Sequence, residues 1–156
     1  MSGNPANTLV RPGSPGDERR LLQIDASANA SAGREQLFAR ACGVVADARE
    51  LALVVLVDDV IQGFLIYSQV LDEVSIHDVA VHVDSRGQGL GRLLLAQALL
   101  QMKSRGAQRC LLEVRESNRA ARALYSRLCF REDGVRQNYY PAATGREDAV
   151  LMSLQL

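Results

Sequence analysis

Arg86-Gly87-Gln88-Gly89-Leu90-Gly91 sets three glycines at alternate positions. That spacing lets a backbone turn sharply and bring bare N–H groups against a ligand. Before it, Val79, Val81 and Val83 alternate as a half-buried strand does, and after it Leu90, Leu94, Ala98 and Met102 recur at helical spacing. The loop therefore opens a helix, where unpaired N–H groups and the positive end of the dipole favour an anion such as a phosphate. A tight turn with no ligand would use the same glycines. The run is not a P-loop, which needs Gly-x-x-x-x-Gly-Lys and then Ser or Thr. The dinucleotide fingerprint asks for a small residue where Arg92 stands, although Glu113 falls about where its acidic ribose ligand would be expected.

Three further residues carry usable chemistry. Glu113 lies in Leu111-Leu112-Glu113-Val114-Arg115, near the end of an otherwise apolar strand, and strand ends beside a switch in a sheet are where open sheets bind ligands. A partly desolvated carboxylate there suits a general base acting on an amine, and an outward-facing acid paired with an arginine would look the same. Tyr125 sits on the stripe Ala121, Leu124, Tyr125, Leu128. That spacing makes it a core tyrosine, and its phenol could also protonate a leaving thiolate. Asn118 is first an N-cap and second an amide able to touch a ligand. His77 and His82 lack a cysteine or acidic partner at ligand spacing, so no metal is expected.

These residues need elements to hold them. Residues 1–7 are small and polar and expected to be disordered. Thr8–Arg11 reads as a strand, Ser14-Pro15-Gly16-Asp17 as the start of a helix through Ile24, Ala26–Gly33 as a loop or frayed helix, and Arg34–Ala41 as a second helix. Leu51–Val57 and Val60–Val70 form a hairpin about Asp58-Asp59, and Val74–Val83 is a long third strand. Gly106 belongs at the end of the helix after the glycine loop, and Arg109–Val114 should then lie parallel to Val74–Val83. A helix from Asn118 to Leu128 and strands Phe130–Tyr140 and Ala149–Leu156, joined by a loop over 141–146, complete the chain. The order predicts an α+β fold with a mixed, mostly antiparallel sheet, helices on its faces and a central parallel βαβ unit, all within one domain over 8–156.

Composition narrows the function. The chain has 156 residues, 18 basic and 18 acidic, and hence no general grip on nucleic acid. Residues 1–73 carry 6 basic and 10 acidic side chains and residues 74–156 carry 12 and 8, which suits an anionic ligand on the C-terminal half and a cationic acceptor on the N-terminal half. No apolar run approaches the roughly 18 residues that cross a bilayer, and the first twenty residues lack a signal-peptide core, so a cytoplasmic protein with no membrane partner is expected. Cys42, Cys110 and Cys129 should be free thiols, Cys110 and Cys129 as small buried hydrophobes.

The glycine loop follows the pattern (Gln/Arg)-x-x-Gly-x-(Gly/Ala), and with it the chain resembles the GNAT N-acetyltransferases. Over Leu71–Leu156 it is similar to one branch, the bacterial ribosomal-protein-alanine N-acetyltransferases (the RimI type). The marks are Leu71-Asp72-Glu73, Val79-Ala80-Val81-His82-Val83-Asp84, Leu112-Glu113-Val114-Arg115, Ser117-Asn118 with Ala123-Leu124-Tyr125, and Asn138-Tyr139-Tyr140-Pro141 with Gly145-Arg146-Glu147-Asp148-Ala149. The resemblance implies acetyl-coenzyme A as co-substrate and direct transfer to the N-terminal alanine of a small-subunit ribosomal protein. It implies Glu113 as general base and Tyr125 as general acid. Val79, Ala80 and Val81 would hold the pantetheine arm, Gly87, Gln88, Gly89, Leu90, Gly91 and Arg92 the pyrophosphate, Asn118 the co-substrate as well, and Tyr139 and Tyr140 the acceptor. Where this branch carries an aromatic run such as Phe-Pro-Trp, the chain has Ala28-Asn29-Ala30-Ser31-Ala32-Gly33 and no tryptophan. A small amine or another peptide as acceptor, or a non-catalytic acyl-coenzyme A-binding module, are the alternatives.

Overall fold

The computed structural model describes residues 7–28 and 33–156. Eleven elements follow in the order β1 (Thr8–Pro12), α1 (Glu18–Ala28), α2 (Glu35–Ala41), β2 (Glu50–Val57), β3 (Val60–Val70), β4 (Glu73–Val81), α3 (Leu90–Ser104), β5 (Arg109–Arg115), α4 (Arg119–Arg127), β6 (Arg131–Ala142) and β7 (Gly145–Gln155). The strands make one sheet in the order β1-β2-β3-β4-β5-β7-β6. Only β4 and β5 run parallel; the other neighbours are antiparallel. This is the expected α+β architecture.

Both faces of the sheet are covered, which is why Leu51–Val57 is apolar without alternation. Leu53 and Val55 of β2 point with Leu65, Tyr67, Val74, Ile76 and Leu112 into a core roofed by Leu94, Leu95, Ala98 and Met102 of α3. Ala52, Val54 and Leu56 point the other way, with Phe64 and Ile66, against Leu21, Ile24 and Phe38 of α1 and α2. Phe38 meets Phe64 edge-on at 5.2 Å between centroids.

Between β3 and β4 the register carries an irregularity that decides what lies on which face. Ile66 pairs with Asp78 and Tyr67 with Ile76, so His77 has no partner on β3 and forms a bulge. A bulge adds one residue and shifts the alternation by one. Ile76 therefore faces the α3 core whereas Ala80 faces α1 and α2, and Val79 and Val81 pack back against the α3 side.

Several boundaries differ from expectation. Helix α1 runs four residues past Ile24, into the small residues read as a loop or frayed helix. The remainder of that loop, residues 29–32, lies outside the described residues, as do residues 1–6 of the expected disordered terminus. Asn7 is held instead, its N–H donating to Asp58 Oδ1 at 3.1 Å and its carbonyl accepting from Asp58 N–H at 2.9 Å. Strand β4 stops at Val81, and Val83 opens a 3-10 turn over Val83–Ser85. The expected loop over 141–146 is a hairpin, with Pro141 paired to Arg146 and Ala142 to Gly145. Pro141 is tolerated in a strand because β6 is the edge of the sheet.

Cys42 and Cys110 are buried, but Cys129 is exposed, against expectation. It follows α4 with φ at +72°, the left-handed position that ends helices and favours glycine. A β-carbon there points outward and costs about 1 kcal/mol. Cys129→Gly is expected to raise Tm by roughly 1–4 °C in a thermal melt. In thiol labelling of the native chain Cys129 should react first, since burial pushes the Cys42 thiol up to about 11 and the Cys110 thiol to about 12.

Candidate active site

The parallel ladder between β4 and β5 is short. It pairs Glu73 to Arg109 through Ile76 to Leu112 and then stops, one residue before the His77 bulge. Beyond it the two strands have no ladder between them, and the edge of Asp78–Val81 that faces β5 is left without a strand partner. A cleft of about 370 Å³ opens there, with Asp78 and Val79 on one wall, Glu113 and Arg115 on the other, and Asn118, Tyr125, Tyr140 and Arg34 around it. A second, larger cleft of about 660 Å³ lies on the open sheet face towards β6 and β7, where Tyr139 and Arg136 join the lining. Ile76, His77, Leu112, Glu113 and Tyr140 line both, so the two clefts meet at Glu113.

Of the residues singled out from sequence, Val79, Glu113, Asn118, Tyr125 and Tyr140 converge on the smaller cleft. Tyr139 lines the larger one. The side chain of Ala80 points away, buried beneath α1 and α2, and Val81 is half-buried, so at both positions the backbone is what a ligand could reach. The glycine loop lines neither cleft and lies at the N-terminus of α3, just past the end of β4.

That loop is built to offer backbone. Gly87 and Gly89 have φ of +76° and +77°, and a β-carbon added at either would stand in open space. Gly89 is the N-cap of α3, and no side chain caps the helix, whose first-turn donors therefore stay open to an anion. Leu90 turns its side chain into the core. Gly91 differs, its added β-carbon lying 3.6 Å from Leu124 Cδ2 at ordinary contact distance. The approach to the loop is pinned: His82 N–H donates to the Gln62 carbonyl at 2.8 Å, Ser85 Oγ donates to Gln62 Oε1 at 2.9 Å, and His82 Nδ1 accepts from Asp84 N–H at 3.1 Å.

Glu113 carries an ion pair that the sequence left as one of two readings: its Oε1 lies 3.3 Å from Arg136 of β6, with the carboxylate side chain 32% exposed. It is thus both paired and open to the clefts. Tyr125 is 8% exposed, and its ring packs on Phe130 at 5.8 Å. Burial, then Asp78 and Tyr140, hold its phenol well above the ordinary tyrosine range. Asn118 does cap α4, its Oδ1 accepting from Ala121 N–H at 3.2 Å.

The paired tyrosines sit on a distorted part of β6. The register breaks between Arg136 and Tyr140, and Asn138 takes φ of +53°. The Gly-Arg-Glu-Asp run on β7 holds this shape. Asp148 Oδ1 accepts from Asn138 N–H at 2.9 Å, and Arg146 donates to the carbonyls of Asn138 and Tyr139 at 2.8 Å each. Glu147 pairs with Arg115 at 2.7 Å, and the Arg115 guanidinium lies 4.6 Å above the Tyr140 ring. Burial and nearby Glu113 push the Tyr140 phenol up to about 12.

Sequence reasoning missed three members of the site. Arg136 reaches Glu113 from another strand. Asp78 and Arg34 are joined at the edge of the cleft, the Arg34 guanidinium bonding Asp78 Oδ2 while its other nitrogen lies 2.9 Å from Asp25 Oδ1. The only hint was an acid, Asp78, inside an apolar strand. His77, which was set aside, is the bulge residue and donates to or accepts from Ser68 Oγ at 2.8 Å.

Known proteins share this fold. The family model described as the acetyltransferase (GNAT) family matches residues 19–130. The chain is 44% identical over 108 residues to the [ribosomal protein bS18]-alanine N-acetyltransferase of Salmonella typhimurium, covering 69% of this chain and 73% of that one. The crystal structure of the ribosomal-protein-S18-alanine N-acetyltransferase from Escherichia coli superposes with a TM-score of 0.87 at 36% identity, over 96% of this chain and 94% of that one. The Arabidopsis thaliana NAA60 structure in complex with acetyl-CoA shares the fold, with a TM-score of 0.84 at 19% identity over 96% and 99% of the two chains. With its family model matched over most of its length and its sheet opened beside an uncapped glycine-led helix, the chain belongs to the GNAT family of acetyltransferases.

Proposed function

We propose that the chain transfers the acetyl group of acetyl-coenzyme A to the N-terminal α-amine of a protein, the alanine of a small-subunit ribosomal protein being the acceptor. The observation that carries this reading is the cleft at the end of the short β4–β5 ladder, with Glu113, Tyr125 and Tyr140 on its walls. The names of the Salmonella and Escherichia coli relatives support the acceptor.

The site fits acetyl-coenzyme A, which supplies an acetyl group already activated as a thioester. The bare N–H groups of Gly87 to Arg92 would take the pyrophosphate, where two left-handed glycines leave open space and no side chain competes. The unpaired edge of Val79 to Val81 would bond the amides of the pantetheine arm as a strand does. Asn118, at the mouth of α4, would add a side-chain amide.

The remaining steps belong to the protein. The acceptor amine, with an ordinary pKa near 8, arrives protonated in part and must lose its proton before it can attack. Glu113 Oε1 and Oε2, open to both clefts, would take that proton directly or through one water. The departing thiolate needs a proton in return, and the phenol of Tyr125, which lines the same cleft, would be the donor. Because burial raises its pKa, Tyr125 stays protonated at any working pH. Tyr140, fixed by Arg115, would close the acceptor side and exclude water.

The test is thiol release from acetyl-coenzyme A with a short peptide bearing a free N-terminal alanine, beside the same peptide with its amine acetylated. Release with the free peptide alone is the expected result. Release with neither, while acetyl-coenzyme A still raises Tm, would move the acceptor to a small amine or reduce the chain to a binding module.

A further inference from the structure

The cleft wall on the α1–α2 side carries an ion cluster. Arg34, one residue before α2, extends across to β4 and divides its single positive charge between two carboxylates, Asp25 of α1 and Asp78 of β4. The guanidinium also lies 5.3 Å over the Phe38 ring, which holds it in place. Arg34 is the N-cap residue of α2 but makes no side-chain cap, so its charge is committed to this bridge.

The other charges at the cleft are matched one to one. Glu113 pairs with Arg136 and Arg115 with Glu147. Tyr125 and Tyr140 keep their protons, and His77 is bonded to Ser68. Asp25 does not line the cleft; Asp78 does, on the same wall as Val79 and facing Glu113, Tyr125 and Tyr140. A cation entering the cleft would thus find in Asp78 a carboxylate that shares its arginine.

We infer that Asp78 docks the acceptor's α-ammonium group, with Arg34 as the positioning residue that holds the Asp78 carboxylate at the cleft wall and ties the start of α2 over it. This role rests on the acceptor proposed above. The chemistry recognised is a primary ammonium, held beside Glu113 until Glu113 takes its proton; no covalent bond is made or broken at Asp78. Burial raises the Asp78 carboxyl more than Arg34 lowers it, so a second cationic partner stabilises the ionised form.

The experiment compares wild type with Asp78→Asn, Asp78→Glu and Asp25→Asn, using the free N-terminal alanine peptide as substrate and its N-acetylated form as competitive inhibitor. Asparagine keeps the shape of Asp78 and an oxygen for Arg34. Asp78→Asn is expected to raise the peptide KM roughly ten- to a hundredfold, the loss of one charge-assisted hydrogen bond. The KM for acetyl-coenzyme A and the inhibition constant of the uncharged acetylated peptide should each move less than about twofold. Asp78→Glu should recover part of the loss, and Asp25→Asn should leave the peptide KM within about threefold. An unchanged peptide KM in Asp78→Asn would overturn the role. So would equal losses in Asp78→Asn and Asp25→Asn, or a parallel loss of acetylated-peptide binding, because the cluster would then be a structural tie alone. A wild type that turns over no peptide would instead overturn the acceptor reading and this role with it.

Discussion

Glu113→Gln is expected to lower kcat by about 10²- to 10⁴-fold with little change in the KM for acetyl-coenzyme A, the loss that follows when a positioned proton acceptor is removed. Glutamine keeps the length of the side chain and an oxygen for Arg136, so the 3.3 Å contact is the least disturbed feature of the variant. Tyr125→Phe should lower kcat by a comparable factor without unfolding the chain, since it keeps the ring packed on Phe130. The two substitutions should separate by pH. In wild type, kcat at saturating peptide should rise with pH as the bound amine, whose ordinary pKa is near 8, gives up its proton. It should then stay level to about pH 10, because the raised Tyr125 pKa places the alkaline fall above the ordinary tyrosine value. A fall beginning near pH 9, or turnover by Glu113→Gln at the wild-type rate, would remove these residues from their roles.

The second large effect belongs to the backbone. Gly89→Ala puts a β-carbon at φ of +77° in open space at the head of α3. The strain alone costs about 1–2 kcal/mol. On the proposed function the methyl would also stand where the pyrophosphate approaches, and the KM for acetyl-coenzyme A should rise at least about tenfold through the loss of charge-assisted N–H contacts. Gly91→Ala is the contrasting case. Its position is helical and its β-carbon would touch Leu124 and Val81 at 3.6 and 3.8 Å, so it should gain about 0.5–1 kcal/mol from helix propensity and leave the KM unchanged. If both alanines behave alike in the melt and in the assay, the loop is a turn and not an anion cradle.

These contrasts show what kind of information a single sequence holds. The glycine loop was legible because its chemistry is local: a strand period gives way to a helix period across six residues. Asn118 was legible for the same reason, a cap being an interaction over three residues. Glu113 and Tyr125 stood at suggestive places, but the residues alone left each with a bland reading as well, and the resemblance tipped the balance. The Glu113–Arg136 pair matches the bland reading, while the carboxylate stays open enough to leave the proposed one available. Arg34 and Asp78 lie 44 positions apart and meet only because α1 and α2 fold over β4, so no local pattern announced them. The His77 bulge was likewise hidden, since a run of alternating valines looks the same on either side of a one-residue slip. Helix α1 outran its expected end because the alanines read as loop are strong helix formers, and Ser27 Oγ donates to the Ile24 carbonyl at 2.7 Å. Cys129 was misjudged because its apolar neighbours suggested burial, whereas the end of α4 turns it out with a left-handed backbone.

The short β4–β5 ladder has a thermodynamic meaning beyond shaping a cleft. Four residue pairs, Glu73 to Ile76 with Arg109 to Leu112, make up the ladder that joins the two halves of the sheet, extended at its start by Gln108 N–H donating to the Asp72 carbonyl at 2.7 Å. A co-substrate lying along Val79 to Val81 would serve as the missing length of strand, bracing one half against the other. Occupancy then becomes part of the fold's own cohesion: at a hundred times Kd a ligand confined to the native state adds about 2.7 kcal/mol, and amides of Val79 to Val81 should exchange with solvent more slowly once the seam is filled. The same incompleteness that would admit the ligand leaves the sheet weakest along that line, so the protein's resistance to heat would follow the supply of its acyl donor.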